Sequence, residues 1–297
     1  MAPEDPLGSV SVYARHDGWM MLLQAAALAA VAAGIATLLA GRRMVDMGTF
    51  AAAIGLSVVA LRGSTAEYLL LTGADLSDRF ARGLALRFAV EAVGWFLVVG
   101  VAMVISALVF RWCFGAGELG PGDREDHGEQ ALYAGHDAMR PPLWRSDGSG
   151  SRTPTMAGIQ HLLITAAVAL AASAVLSAGL RSRSIQHGQV CFVVAAAFGI
   201  GTYAAQRINP VRSALWAILA VGIVAVLGYI WASLRPDAAG LPPNIPSSHF
   251  LRVLPIQFIS VGTAAAVATF WSVQVPSGGG HSPRHGDSGS IRTGGGG

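Results

Sequence analysis

The sequence contains no lysine, and all 20 of its basic residues are arginine. Charge of either sign is scarce. Charged residues make up 12% of the chain, against about 25% in an ordinary soluble domain. That scarcity excludes a water-facing surface of normal composition. The net charge is only +3, with no dense basic run, so a nucleic-acid-binding surface is excluded as well. Cysteine is limited to Cys113 and Cys191. Neither has a second cysteine nearby, which argues against a disulfide framework or a zinc knuckle and leaves two unrelated free thiols.

Motifs of catalysis are missing too. The sequence shows no hydrolase nucleophile elbow, no Walker phosphate loop and no His-Glu-x-x-His zinc pattern. The first nineteen residues carry Glu4, Asp5, Arg15 and Asp17. Without a basic region ahead of a short apolar core, they do not read as a cleaved signal peptide.

Apolar runs fill the rest. Hydrophobic residues make 53% of the 297 positions, and mean hydropathy is +0.52. Candidate spans cover about 20–40, 49–71, 84–110, 159–180, 189–206, 211–234 and 250–273. Each approaches the roughly 20 residues that carry a helix across about 30 Å of hydrocarbon. The runs do not alternate as barrel strands do, and an open sheet would leave backbone groups unpaired in lipid. The predicted fold is therefore all-α: a polytopic integral membrane bundle of about seven transmembrane helices, with six to eight as bounds. The second span is the least regular, because Arg62, Gly63 and Glu67 interrupt it.

The expected organisation is a tail over 1–19, a three-helix group over 20–111 and a hydrophilic loop over 112–156. A group of about four helices over 157–274 and a Gly/Ser/His-rich tail over 275–297 follow. The loop holds seven acidic residues and four arginines between 115 and 155, with too few apolar side chains for a core. His127, His136, His281 and His285 fall in these polar segments without metal-ligand spacing. His161 and His187 bracket one span and are about 39 Å apart if helix joins them. No metal and no cofactor is expected.

Four charges stand out: Arg62, Glu67, Arg87 and Glu91. Charges at membrane depth cost a few kcal/mol and generally turn inward to partners. Arg87 and Glu91 are one helical turn apart. A crossed network, Arg62 with Glu91 and Glu67 with Arg87, is the expectation, more as a clamp between helices than as a transport pathway. Small residues such as Ala29, Ala33, Ser173 and Gly199 are candidates for close helix packing. Trp19, Trp112, Trp231 and Trp271 lie near span ends, where interfacial rings belong. Trp95 and Trp216 lie deeper and are expected between helices.

A faint internal similarity accompanies these features. Residues 22–48 resemble 162–188 at a constant offset: Leu22 with Leu162, Ala26 with Ala166, Arg43 with Arg183, Gly48 with Gly188. A duplication would give three spans, a loop, three spans and one more, a layout common among secondary transporters.

The sequence alone favours a noncatalytic helical subunit or scaffold of a membrane assembly, with a small-solute transporter or channel component as the alternative. Its surroundings are a lipid bilayer, with membrane-protein partners or further copies of itself beside it. The arginine, alanine and glycine bias suggests GC-rich coding and hence a bacterial cytoplasmic (inner) membrane. The arginine distribution leans toward an N-terminus outside and a C-terminus inside.

Overall fold

A computed structural model describes residues 18–41, 46–61, 78–114, 154–179, 187–211, 213–234 and 253–274. They form seven helices and, among the described residues, no strand. These are α1 (Gly18–Ala40), α2 (Met47–Ala60), α3 (Asp78–Phe114), α4 (Pro154–Gly179), α5 (His187–Ile208), α6 (Leu215–Leu234) and α7 (Pro255–Gln274). Six are long and apolar enough to cross a membrane. The chain is a multi-pass helical membrane bundle. The exception is α2, whose 14 residues span about 21 Å. The rest of the second predicted span, with Arg62 and Glu67, lies outside the described residues, as do most of the central loop and both tails.

Local chemistry sets several helix ends. Proline opens α4 at Pro154 and α7 at Pro255, where its missing N–H leaves no bond unmade and its ring presets φ. Pro255 was expected inside a span beginning near Phe250; it instead starts the helix. Gly41 adopts φ 63° at the end of α1, a left-handed conformation that suits glycine at a helix terminus. Ser213 accepts a hydrogen bond from the Leu215 amide at 3.2 Å. This cap delays the start of α6 beyond the expected Val211.

Contacts fix the direction of each helix. Gly94 of α3 faces Leu22 near the start of α1, and Gly34 further along α1 faces Ile105 and Val109; α1 and α3 are parallel. Phe50 meets Trp271 edge-on at 4.9 Å, while Ala60 meets Gln257, so α2 opposes α7. Gly222 faces Phe96 and Tyr229 meets Phe88, which makes α6 antiparallel to α3. On α4 and α5, Thr165 faces Gly201 and His161 reaches Asn209, again antiparallel. Each helix therefore runs opposite to the one before it. The group α1–α3 and the group α4–α6 run in opposite senses, and α1 begins at the opposite end of the bundle from where α7 finishes.

Packing follows the same division. α1 lies against α2 and α3, and α4 lies against α5 and α6. The two groups meet where α3 packs on α6. The seventh helix packs on α2, α3, α5 and α6, the second and third members of both groups. α6 and α7 are the most enclosed of the long helices, while α1 and α4 are the least. Leu28, Leu39, Leu163 and Val175 project outward, as lipid-facing side chains must. The offset similarity is followed in part: Leu23 and Leu163 are both exposed, and Ala29 and Ala169 are both buried. Gly48 and Gly188 part company, since Gly188 faces open space.

Gly48 sits where three helices meet. Thr37 and Ser106 share a 2.7 Å hydrogen bond there. A Cβ on Gly48 would press on both hydroxyls and on the Ala33 carbonyl. Gly48→Ala is expected to lower the melting temperature in detergent, because overpacking costs about 1–3 kcal/mol. An unchanged melting curve would mean that α1, α2 and α3 do not meet this closely.

Candidate functional site: a buried polar layer around Glu91

The side chain of Glu91 is 2% exposed, deep in α3. Arg87, one turn earlier, is exposed. Spacing of four was expected to put the two on one helix face; Glu91 is buried there while Arg87 is exposed. Four residues turn a helix by somewhat more than one full circuit, enough to carry Arg87 past the edge of the packed face. The proposed partners Arg62 and Glu67 lie outside the described residues, so the crossed network has no described geometry.

A different partner is present. Trp95, 1% exposed, donates its indole N–H to Glu91 Oε1 at 3.1 Å. A hydrogen bond of this kind strengthens in a low-dielectric interior. Phe88, on the same face, meets Tyr229 of α6 at 5.7 Å between ring centroids. Tyr229 also meets Phe258 of α7 at 6.4 Å. Its hydroxyl donates to the Val253 carbonyl at 2.7 Å, which ties α6 to the chain entering α7.

Gln257 completes the layer. Its Oε1 accepts from the Leu254 amide at 3.1 Å, as the third helical residue reaches back to the N-cap in a capping box. Its Nε2 donates to the Ala60 carbonyl at 3.1 Å. That carbonyl belongs to the last turn of α2, where intrahelical donors run out. One buried amide thus satisfies the ends of two helices. Neither Gln257 nor Tyr229 was singled out from sequence. The available signal was Pro255 followed two positions later by glutamine, a helix start hidden in an apolar run.

From Gln257 the polar side of α7 continues through Ser260 and Thr263. Spacings of three keep these groups on one side of the helix. Gln257 is 1% exposed, Ser260 1% and Thr263 0%. The most central part of the bundle therefore carries polar atoms into its middle.

The other end has its own network. Gln206 exchanges two hydrogen bonds with the Val211 backbone, at 3.0 and 3.1 Å. Asn209 donates to the Ala157 carbonyl at 2.6 Å. Together these hold the Asn209-Pro210 break against α4. Arg207 is exposed and lies over the Tyr203 ring at 5.2 Å.

The remaining candidates divide. Ala29 and Ala33 are buried at 4% and 0%. Gly199 is half-buried and faces Thr269. Ser173 is half-buried, and its hydroxyl closes on the Ala169 carbonyl of its own helix. Trp19 and Trp231 are exposed at one end of the bundle, and Trp112 is exposed at the other. Trp271 shares the end of Trp112 but packs on Phe50 as well. Trp95 and Trp216 pack between helices, Trp216 against Gly158. Cys113 and Cys191 are free and lie toward opposite ends of the bundle. Among the described residues, no three His, Cys, Asp or Glu side chains gather as a metal site would require.

Compared with known proteins, the chain matches no family model, no curated protein and no solved structure.

Proposed function

We propose that the chain is a small-solute transporter or channel component, rather than the noncatalytic subunit that composition alone favours. The observation that carries this reading is the central helix. α7 is enclosed by α2, α3, α5 and α6, yet it carries buried Gln257, Ser260 and Thr263 on one side, and Glu91 is buried on its neighbour α3. Gln257 and Ser260 are bonded within the protein, but the Thr263 hydroxyl meets no partner among the described residues, and burying an unbonded polar atom costs free energy that a purely structural core has no reason to spend. Two oppositely directed three-helix groups around one helix are also the kind of layout on which alternating access is built. The setting that fits composition is a bacterial inner membrane, with the N-terminus outside and the C-terminus inside.

The test uses the full chain in proteoliposomes. Stopped-flow light scattering follows entry of urea, glycerol and small amino acids, and an internal pH dye follows protons under an imposed potential. At least one of these is expected to cross faster than in protein-free vesicles. Rates equal to empty vesicles throughout would overturn the reading. A stoichiometric partner retained in mild detergent would then point back to a subunit or scaffold.

A further inference from the structure

We propose that the seam between α4 and α5 holds a binding site for a small neutral hydrogen-bond donor, water or a solute of that chemistry, built by His161, Thr165 and Thr202. All three side chains are 0% exposed. The helices run antiparallel, with His161 reaching Asn209 and the backbone carbonyl of Thr165 lying beside Gly201. Thr202, next to Gly201, therefore lies at a depth between Thr165 and His161.

Hydrogen-bond logic sets the chemistry. His161 Nδ1 is 3.0 Å from the Asn209 carbonyl oxygen. A carbonyl only accepts, so Nδ1 carries the proton. Nε2 of the neutral ring then presents a lone pair to the interior, and no group among the described residues meets it. The hydroxyls of Thr165 and Thr202 are also without partners among the described residues. A helix offers such hydroxyls a ready acceptor, the carbonyl four residues back. Thr37, Ser173 and Ser260 take it; Thr165 and Thr202 leave it.

Buried polar atoms in native proteins are almost always satisfied, by ordered water where protein does not serve. A lone pair and two hydroxyls match a ligand that donates. A cation is disfavoured. Glu91 is the buried acid among the described residues, and it belongs to α3, whereas α4 packs chiefly on α5 and α6. The proposal does not depend on transport, because a resident water would satisfy it.

Thr165→Val and Thr202→Val keep side-chain shape and remove the hydroxyl. If the hydroxyls hold a ligand, both variants will melt below wild type, and the double variant no lower than the worse single. If the site is empty, losing an unsatisfied polar group will leave melting unchanged or raise it. The second arm is ¹⁵N NMR of the histidine-labelled full chain in lipid nanodiscs, with the His161 signal assigned by its absence in His161→Gln. In solute-free buffer its Nε2 is expected to report an accepted hydrogen bond. A further change on adding glycerol would identify a solute site, and no change would identify water; either supports the proposal. A bare Nε2 under both conditions, or valine variants that melt no lower than wild type, would overturn it.

Discussion

Gly158→Val is expected to prevent the chain from accumulating as folded protein. α4 and α6 run side by side from their first turns, and the Trp216 indole lies across Gly158. A Cβ at that position would fall within the ring, against Cε2, Cζ2 and Nε1. The comparison with other close glycines sets the scale. A Cβ on Gly94 would meet the tip of Leu22 at 2.9 Å, and one on Gly222 would meet the Phe96 ring at 2.6 Å. Leucine can change rotamer, whereas an indole wedged beneath α4 must leave its seat or push α6 away. α6 has little room to move, since Ala217, Val221 and Ala225 on its buried side are all 0% exposed. Overpacking by one methyl costs about 1–3 kcal/mol, and valine adds two more carbons beyond the clashing Cβ. Fluorescence-detected gel filtration of the tagged chain reads the outcome as loss of the monodisperse peak. Gly158→Val with Trp216→Ala should restore the peak, because the cavity left by the indole receives the added carbons. A Gly158→Val protein that stays monodisperse and melts like wild type would mean that α4 does not ride on Trp216.

Much of this architecture was legible in the residues. Hydropathy marks a helix wherever about 20 apolar residues run together, because lipid admits little else. Each of the seven expected spans holds a helix, and six of these are long and apolar enough to cross a membrane. Termini are less legible, since a boundary depends on which amide or carbonyl finds a partner. Pro255 falls inside the expected 250–273 span and is a helix start, for a reason that involves Gln257 and Ala60 at once. Of the two notable charges among the described residues, Glu91 lies in the core and Arg87 is exposed. The bond from Glu91 to Trp95 was not legible, because the sequence draws attention to opposite charges and this donor is a neutral indole. The buried threonines were invisible for a similar reason. Thr37 and Thr165 look alike in an apolar run, and only the fold shows that the first bonds its own helix while the second does not.

Glu91→Gln is expected to separate stability from transport. The carboxamide oxygen can still accept from Trp95, so the bond between these two side chains survives. What disappears is the ability to carry charge in a region where a charge costs at least about 2.5–3.5 kcal/mol. A residue kept for packing gains nothing from that cost, and its loss should leave every property of the protein near wild type. A residue kept for function should show the opposite balance, with melting at or above wild type and activity lost. For a solute that crosses the wild-type protein in vesicles, the Gln variant is therefore expected to slow flux at least about tenfold, equivalent to about 1.4 kcal/mol at the barrier. Glu91→Leu provides the second comparison. It removes the acceptor as well as the charge and strands the buried Trp95 N–H, at a cost of about 1–3 kcal/mol, so flux and melting temperature should fall together. If Gln lowers the melting temperature as much as Leu does, the carboxylate is a clamp between helices. If Gln leaves flux intact, Glu91 has no part in the pathway, and the polar side of α7 must act without it.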